Sequence, residues 1–163
     1  MEVNKSSIII TGAASGFGKS MSLYFSSLGA QVYALDIDDK ALSKLENETK
    51  NNIHTFNCDV SDNNEVERLV DAIFENDKSI NVLINNAGIM KNAPLVNILN
   101  RPDSRHSIDL WDKVIAVNQN SVFYMTRSVA NKIIKNRNKG VIINISSISA
   151  KGNAGQTAFE AMT

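Results

Sequence analysis

Three glycines close behind an apolar run are the first residues whose types and spacing point to chemistry. Thr11-Gly12-Ala13-Ala14-Ser15-Gly16-Phe17-Gly18 follows Ser7–Ile10 and opens a stretch with helical period. Glycines there let the backbone turn sharply and approach a pyrophosphate, which the electropositive start of a helix attracts. The spacing, Gly-x3-Gly-x-Gly, departs from the common Gly-x-Gly-x-x-Gly, so the turn alone reads equally well as a tight strand-to-helix connection. Asp36 adds the needed context. It closes the next apolar run about 20 residues later, where a carboxylate accepts hydrogen bonds from an adenosine ribose. A helix cap is the competing role, because Asp38 and Asp39 crowd the same turn. No Arg or Lys occurs among Ala13–Phe17 or at Ile37 to receive a 2′-phosphate. The acid without a nearby base predicts NAD rather than NADP, held by Gly12, Ser15, Gly16, Phe17, Gly18 and Asp36.

Further polar residues recur just beyond later apolar runs. Asp59 and Val60 follow the third, Asn85-Asn86-Ala87-Gly88 the fourth, and Ser146-Ser147 the fifth. Small and amide residues such as Asn86, Ala87 and Gly88 let backbone press against a ligand. A serine hydroxyl at a strand end can hold a carbonyl or alcohol oxygen and stabilise developing charge there. Asn118 lies on the apolar stripe of a helical segment, between Ile115 and Val122, and a buried amide needs partners.

The elements that position these residues alternate in kind. Ser7–Thr11, Gln31–Asp36, Ile53–Asn57, Asn81–Asn85 and Gly140–Ser146 are short and Ile/Val-rich, which suits strands buried on both faces of a parallel sheet. Between them run helical stripes. Phe17, Met21, Tyr24, Phe25 and Leu28 form the first, with Gly29 as its C-cap. Val66, Leu69, Val70, Ile73 and Phe74 form another, with Asp62 and Glu65 placed as a capping pair. Trp111, Val114, Ile115, Val122, Met125, Val129 and Ile133 give a long third, and Ala41–Leu45 a weaker one. Four strand–helix repeats and a fifth strand, joined by right-handed crossovers, predict an α/β fold with a doubly wound parallel sheet of Rossmann type, a single domain over residues 1–163.

Composition limits the partners. Lys+Arg and Asp+Glu number 17 each, so the 163-residue chain carries no net charge and no basic stripe for nucleic acid. Apolar runs such as Ile8–Ile10 and Val141–Ile143 fall far short of the ~20 residues of a membrane span, and Met1–Thr11 does not read as a secretory signal. One cysteine, Cys58, excludes an internal disulfide and a multi-cysteine metal site, which points to a reducing, cytoplasmic setting.

In this order and over nearly the whole chain, Thr11–Gly18, Asp59, Asn85–Gly88, Asn118 and Asn144-Ile145-Ser146-Ser147 resemble the classical short-chain dehydrogenases/reductases, in particular members of the 3-oxoacyl-ACP reductase type. The resemblance implies an NAD-dependent oxidoreductase acting on a small secondary alcohol or ketone. It implies that Asp59 meets the adenine ring, that Asn118 anchors a water in a proton relay, and that Ser146 or Ser147 is the catalytic serine. Counting from the strand favours Ser147, and counting back from Gly155-Gln156 favours Ser146.

The resemblance also breaks. Where the family places Tyr-x-x-x-Lys, this chain has Phe159 and Thr163, which have neither the proton nor the charge. Members run to roughly 250 residues as one domain, so about 90 are expected to be missing here and the domain to be truncated. The fifth strand is then an apolar edge, which predicts self-association into a homo-oligomer. Lys91–Ser107 looks longer than usual; His106 within it reads as a solvated loop histidine in preference to a substrate contact. Two functions follow: an active oxidoreductase, or a catalytically impaired NAD-binding relative.

Overall fold

The computed structural model describes residues 2–48, 52–91, 93–99 and 102–151, with side chains up to Ser149. They fall into two compact units, Met1–Ala87 with Ser121–Ile145, and Gly88–Asn120 with Ser146–Thr163.

The first unit carries five parallel strands, β1 (Ser7–Thr11), β2 (Gln31–Asp36), β3 (Ile53–Asn57), β4 (Val82–Asn85) and β5 (Val141–Asn144), in the order β3-β2-β1-β4-β5. Strand order reverses between β1 and β4, which opens a crevice beyond their carboxyl ends. Helices α1 (Gly16–Ser27), α2 (Asp39–Asn47), α3 (Asn63–Asn76) and α5 (Ser121–Lys135) belong to this unit, and α4 (Ile108–Ile115) to the second. The two-residue period of β1 divides the core. Ile8 and Ile10 pack with Val32, Ala34, Ile84 and Leu45 of α2, with Met21 and Phe25 of α1 against them. Ile9 points the other way and packs with Leu35, Leu83, Val66 and Val70 of α3, and Met125 and Val129 of α5. The result is a helix–sheet–helix sandwich with a doubly wound parallel sheet.

The first helical stripe departs from expectation. Phe17, Tyr24 and Leu28 are exposed, and α1 instead buries Gly18 and Ser22. A helix whose backbone lies this close to the sheet turns small residues inward at the contact, and of the expected stripe only Met21 and Phe25, both half-buried, pack against the core. Gly29 does terminate it, in the left-handed region at φ +90. Asp62 caps α3 by accepting from Asn64 and Glu65 N–H, but Glu65 reaches past it to the Asp59 N–H (3.1 Å). The long third stripe is interrupted: α4 ends at Ile115, Ala116–Asn120 form a π-helical turn, and α5 begins at Ser121. β5 pairs only with β4 among the described residues, and all four of its residues are exposed.

A polar cluster closes the amino end of the sheet. The Tyr33 hydroxyl donates to Asp77 (2.9 Å), and Ser79 Oγ donates to the other carboxylate oxygen (2.5 Å). Burial and the bond to Asp77 push the Tyr33 phenol well above its usual value. Burial alone would raise Asp77, but hydrogen bonds from Ser79, Ser7 and Tyr33 hold it below the usual carboxylate value. Cys58 is buried, and with Glu65, Asp59 and Asp62 around it the thiol rises to about 12, so it is not a nucleophile at neutral pH. Among the described residues no helix is long and apolar enough to cross a membrane.

Candidate active site

The glycine turn is built by close backbone approach. Gly12 has φ +62, and a Cβ on it would sit 2.9 Å from Ala87 Cα. A Cβ on Gly18 would lie 1.9 Å from Gly12 O and 2.7 Å from Asn86 Nδ2. Asn86 stitches this crossing: its Nδ2 donates to Thr11 O (3.0 Å) and Gly12 O (3.1 Å). Thr11 Oγ1 returns the bond, accepting from the Asn86 and Ala87 N–H groups at 3.0 Å each. Gly12, Gly18, Asn86 and Ala87 therefore form one knot between the ends of β1 and β4. Thr11 is the member that sequence reasoning did not single out, although it begins the motif.

Gly16 differs from its neighbours. It has φ +48, and nothing lies within 4 Å of where its Cβ would be. Ser15, Gly16 and Phe17 are exposed, Phe17 at 80%. Helices α2, α3 and α4 begin with side-chain caps from Asp38, Asp62 and Ser107, whereas Ser15 gives α1 none. Ser15 therefore leaves the first N–H groups of α1 without a side-chain cap, and uncapped N–H groups at a helix start are donors.

Asp36 is not a helix cap; Asp38 fills that role, accepting from Lys40 and Ala41 N–H. The Asp36 carboxylate instead reaches across to the turn, with Oδ2 accepting from Ala14 N–H (2.9 Å) and Oδ1 from Asp38 N–H (3.1 Å). Each oxygen keeps a second lone pair for a ribose hydroxyl. The closest lysine on α1, Lys19, is paired with Glu48 (2.8 Å). Asp59 holds its own turn, accepting from the Ser61 N–H (2.9 Å) and hydroxyl (2.6 Å), and Val60 is buried in the core. Asn85 donates to Thr126 Oγ1 (3.1 Å) and Asn144 Oδ1 (2.8 Å), tying β4 to α5 and β5.

In the second unit both ends of the Asn118 amide are bonded to one residue. Its Oδ1 accepts from Ile89 N–H (2.8 Å) and its Nδ2 donates to Ile89 O (2.9 Å), a two-point clasp on the segment that begins at Gly88. Gly88 is exposed, and a Cβ there would meet Asn118 Oδ1 at 3.6 Å. The clasp sits in the π-helical turn, a distortion that recurs at functional sites and that apolar period cannot reveal. Ser147 Oγ accepts from Ser149 N–H (3.2 Å), while Ser146 is exposed. Phe159 and Thr163 lie outside the described residues.

The two glycines should respond differently to alanine. Gly18→Ala drives a Cβ into the Gly12 carbonyl and should cost about 3 kcal/mol, the upper part of the range for overpacking. Gly16→Ala meets no atom and should cost only the left-handed strain of about 1–2 kcal/mol. Urea unfolding of both variants reads the difference; equal losses would mean that the crossing is not as tight as described.

A model of the short chain dehydrogenase family matches residues 6–161. The 3-oxoacyl-[acyl-carrier-protein] reductase FabG of Thermotoga maritima is 38% identical over 157 residues, covering 94% of this chain and 60% of the relative. The 3beta-hydroxysteroid dehydrogenase 2 of Eggerthella lenta is 36% identical over 144 residues, covering 86% and 53%. The crystal structure of serine dehydrogenase from Escherichia coli superposes with a TM-score of 0.83 at 27% identity, over 96% of this chain and 69% of that one. The motif order, the sheet order and the family match agree: the chain belongs to the short-chain dehydrogenase family.

Proposed function

We propose that the chain is an NAD(H)-binding oxidoreductase of secondary alcohols or ketones, in which the glycine turn and Asp36 hold the dinucleotide. The observation that carries this reading is the uncapped start of α1 opening on free space at Gly16, with Asp36 bonded to the same turn through Ala14. The α1 N–H groups of Ser15–Gly18 would hold the pyrophosphate, Asp36 the ribose, and Asp59 with Val60 the adenine end. Asn86, Ala87 and Gly88 would line the cleft. When bound, the nicotinamide supplies the hydride donor or acceptor. Asn118 would position the segment at Ile89, and the second N–H and second lone pair of its amide would remain for the relay water that the resemblance implies. Ser147 can still donate its O–H to a substrate oxygen, with its own oxygen oriented by Ser149; Ser146 has no partner among the described residues and is equally available. One buried thiol and the lack of net charge support a cytoplasmic, small-molecule role. The exposed β5 edge supports pairing with a second copy, for which light scattering is the test.

Cofactor choice follows from charge. Asp36 would repel a 2′-phosphate, and Lys19 is held by Glu48. Calorimetric titration should give tighter binding of NADH than of NADPH, and Asp36→Ala should narrow the gap. Tighter NADPH binding by the unaltered chain would sink the assignment.

Phe159 and Thr163 favour the second reading, a relative impaired in catalysis. General acid catalysis contributes about 10²–10⁴-fold, so the loss of a tyrosine proton donor alone predicts a deficit of that order. Phe159→Tyr with Thr163→Lys restores both groups at the i,i+4 spacing that puts them on one helical face, and should recover part of it. Single-turnover oxidation of NADH with a panel of small ketones measures this. Unaltered-chain turnover within tenfold of a typical ~10 s⁻¹ would show that another group gives the proton.

A further inference from the structure

The amino end of the sheet, away from the glycine turn, holds a cleft of about 410 Å³ lined by Glu2, Lys5, Ser79, Asn81, Asn138 and Lys139. All six belong to the first unit. A cleft of that size suits a small-molecule ligand. Its walls are tied together. Asn138 Nδ2 donates to Lys78 O (2.5 Å) and Ile80 O (3.3 Å), which joins the turn after α5 to the turn after α3. Asn81 is held from both flanking strands. Its N–H donates to Ser7 O (3.0 Å), its O accepts from Val141 N–H (2.9 Å), and its Oδ1 accepts from Ser7 N–H (3.2 Å). Among the described residues this leaves Asn81 Nδ2 as a donor, and Asn138 Oδ1 as an acceptor, without a partner.

Charge is uneven here although the whole chain is neutral. Glu2 pairs with Lys5 (2.7 Å), and the Asp77 carboxylate is spent on Tyr33 and Ser79. Lys139 lines the cleft, Lys78 precedes Ser79, and Arg137 precedes Asn138. None of these three cations has an ion-pair partner among the described residues. Arg137 also stands where glycine is usual. Arg137 N–H to Ile134 O and Asn138 N–H to Ile133 O (3.0 Å each) close α5, with Arg137 at φ +55. Gly29 closes α1 in the same way at φ +90. An arginine in that conformation is strained, and the strained turn sets a further cation in the wall of the cleft. Three unpaired cations call for a multiply charged anion, since a single carboxylate would leave charge unmatched. The cleft is also several times larger than a phosphate group, so an organic body can accompany the anion.

We propose that this cleft is a second binding site, for a small phosphorylated and hydroxylated metabolite. Its phosphoryl group would bind Lys139 and Asn81 Nδ2, and a hydroxyl would donate to Asn138 Oδ1. Ligands of doubly wound folds bind beyond the carboxyl ends of the strands, whereas this site lies beyond the amino ends. It therefore stands apart from the dinucleotide seat and does not depend on the reading of that seat. No covalent step is involved.

Glycerol 3-phosphate is the probe, followed in amide ¹H–¹⁵N spectra. It should move the Asn81 and Asn138 side-chain amides and the Lys139 amide saturably, and leave Ser15–Gly18 in place. Sulfate, a dianion without the hydroxyl, should bind at least about threefold more weakly. Lys139→Gln should weaken binding about tenfold, the effect of one charge-assisted hydrogen bond. Lys40→Gln removes the same charge from the start of α2, beyond the other end of β2, and should stay within about twofold. Asn81→Asp keeps the acceptor for Ser7 N–H but replaces the free donor with an anion, and should abolish binding with the spectrum otherwise intact. Saturating NADH should leave the affinity unchanged. Shifts that do not saturate, equal affinity for sulfate, or equal losses in Lys139→Gln and Lys40→Gln would overturn the proposal. So would shifts centred on Ser15–Gly18 or displacement by NADH, either of which would send the phosphate to the dinucleotide seat instead.

Discussion

The first unit of the molecule depends on backbone passing backbone where α1 crosses the end of β1. Gly18 sits so close to the Gly12 carbonyl that a Cβ there would be 1.9 Å from it. Any side chain at Gly18 would lift α1 off the sheet. That would pull Ala14 from Asp36 and the turn from Asn86, whose amide bridges Thr11 O and Gly12 O. One steric condition thus sets the height of the helix, the place of its uncapped start and the position of Asp36. The Ile-rich strands beneath supply a rigid floor, since Ile9, Ile10 and Leu83 are completely or almost completely buried.

The same condition explains why only part of the apolar stripe of α1, Met21 and Phe25, reaches the core. A helix held this near a sheet can bury only small residues at the contact, which are Gly18 and Ser22, and it leaves Phe17 and Tyr24 outside. Asn86 and Thr11 satisfy one another in a region where unsatisfied backbone would be costly. Asn118 does similar work in the second unit by clasping Ile89. In both units an amide side chain stands in for secondary structure at the point where regular pairing ends.

Much of this was legible from residue types. The five strands follow from runs such as Ser7–Thr11 and Gln31–Asp36, and the glycine turn is legible from its place after the first run together with Asp36 at the end of the second. The face of α1 was legible only in part, because period records hydrophobicity and not the distance to the sheet. The break at Ala116–Asn120 was hidden because the apolar period is read on either side of it and resumes at Val122. Asp36 could be told from a cap only by seeing Asp38 occupy that role. The antiparallel bridge of Val96 with Arg105 was hidden because pairing across a loop leaves no period in the sequence.

The central claim is that the uncapped start of α1 is the anion seat of a dinucleotide. Amide ¹H–¹⁵N spectra of the chain with and without NADH test it residue by residue. The account predicts the largest, saturable shifts at Ser15, Gly16, Phe17 and Gly18, with Ala14 following because it shares the Asp36 carboxylate. Saturation by NADH with those amides unmoved and the shifts centred elsewhere in the chain would contradict it.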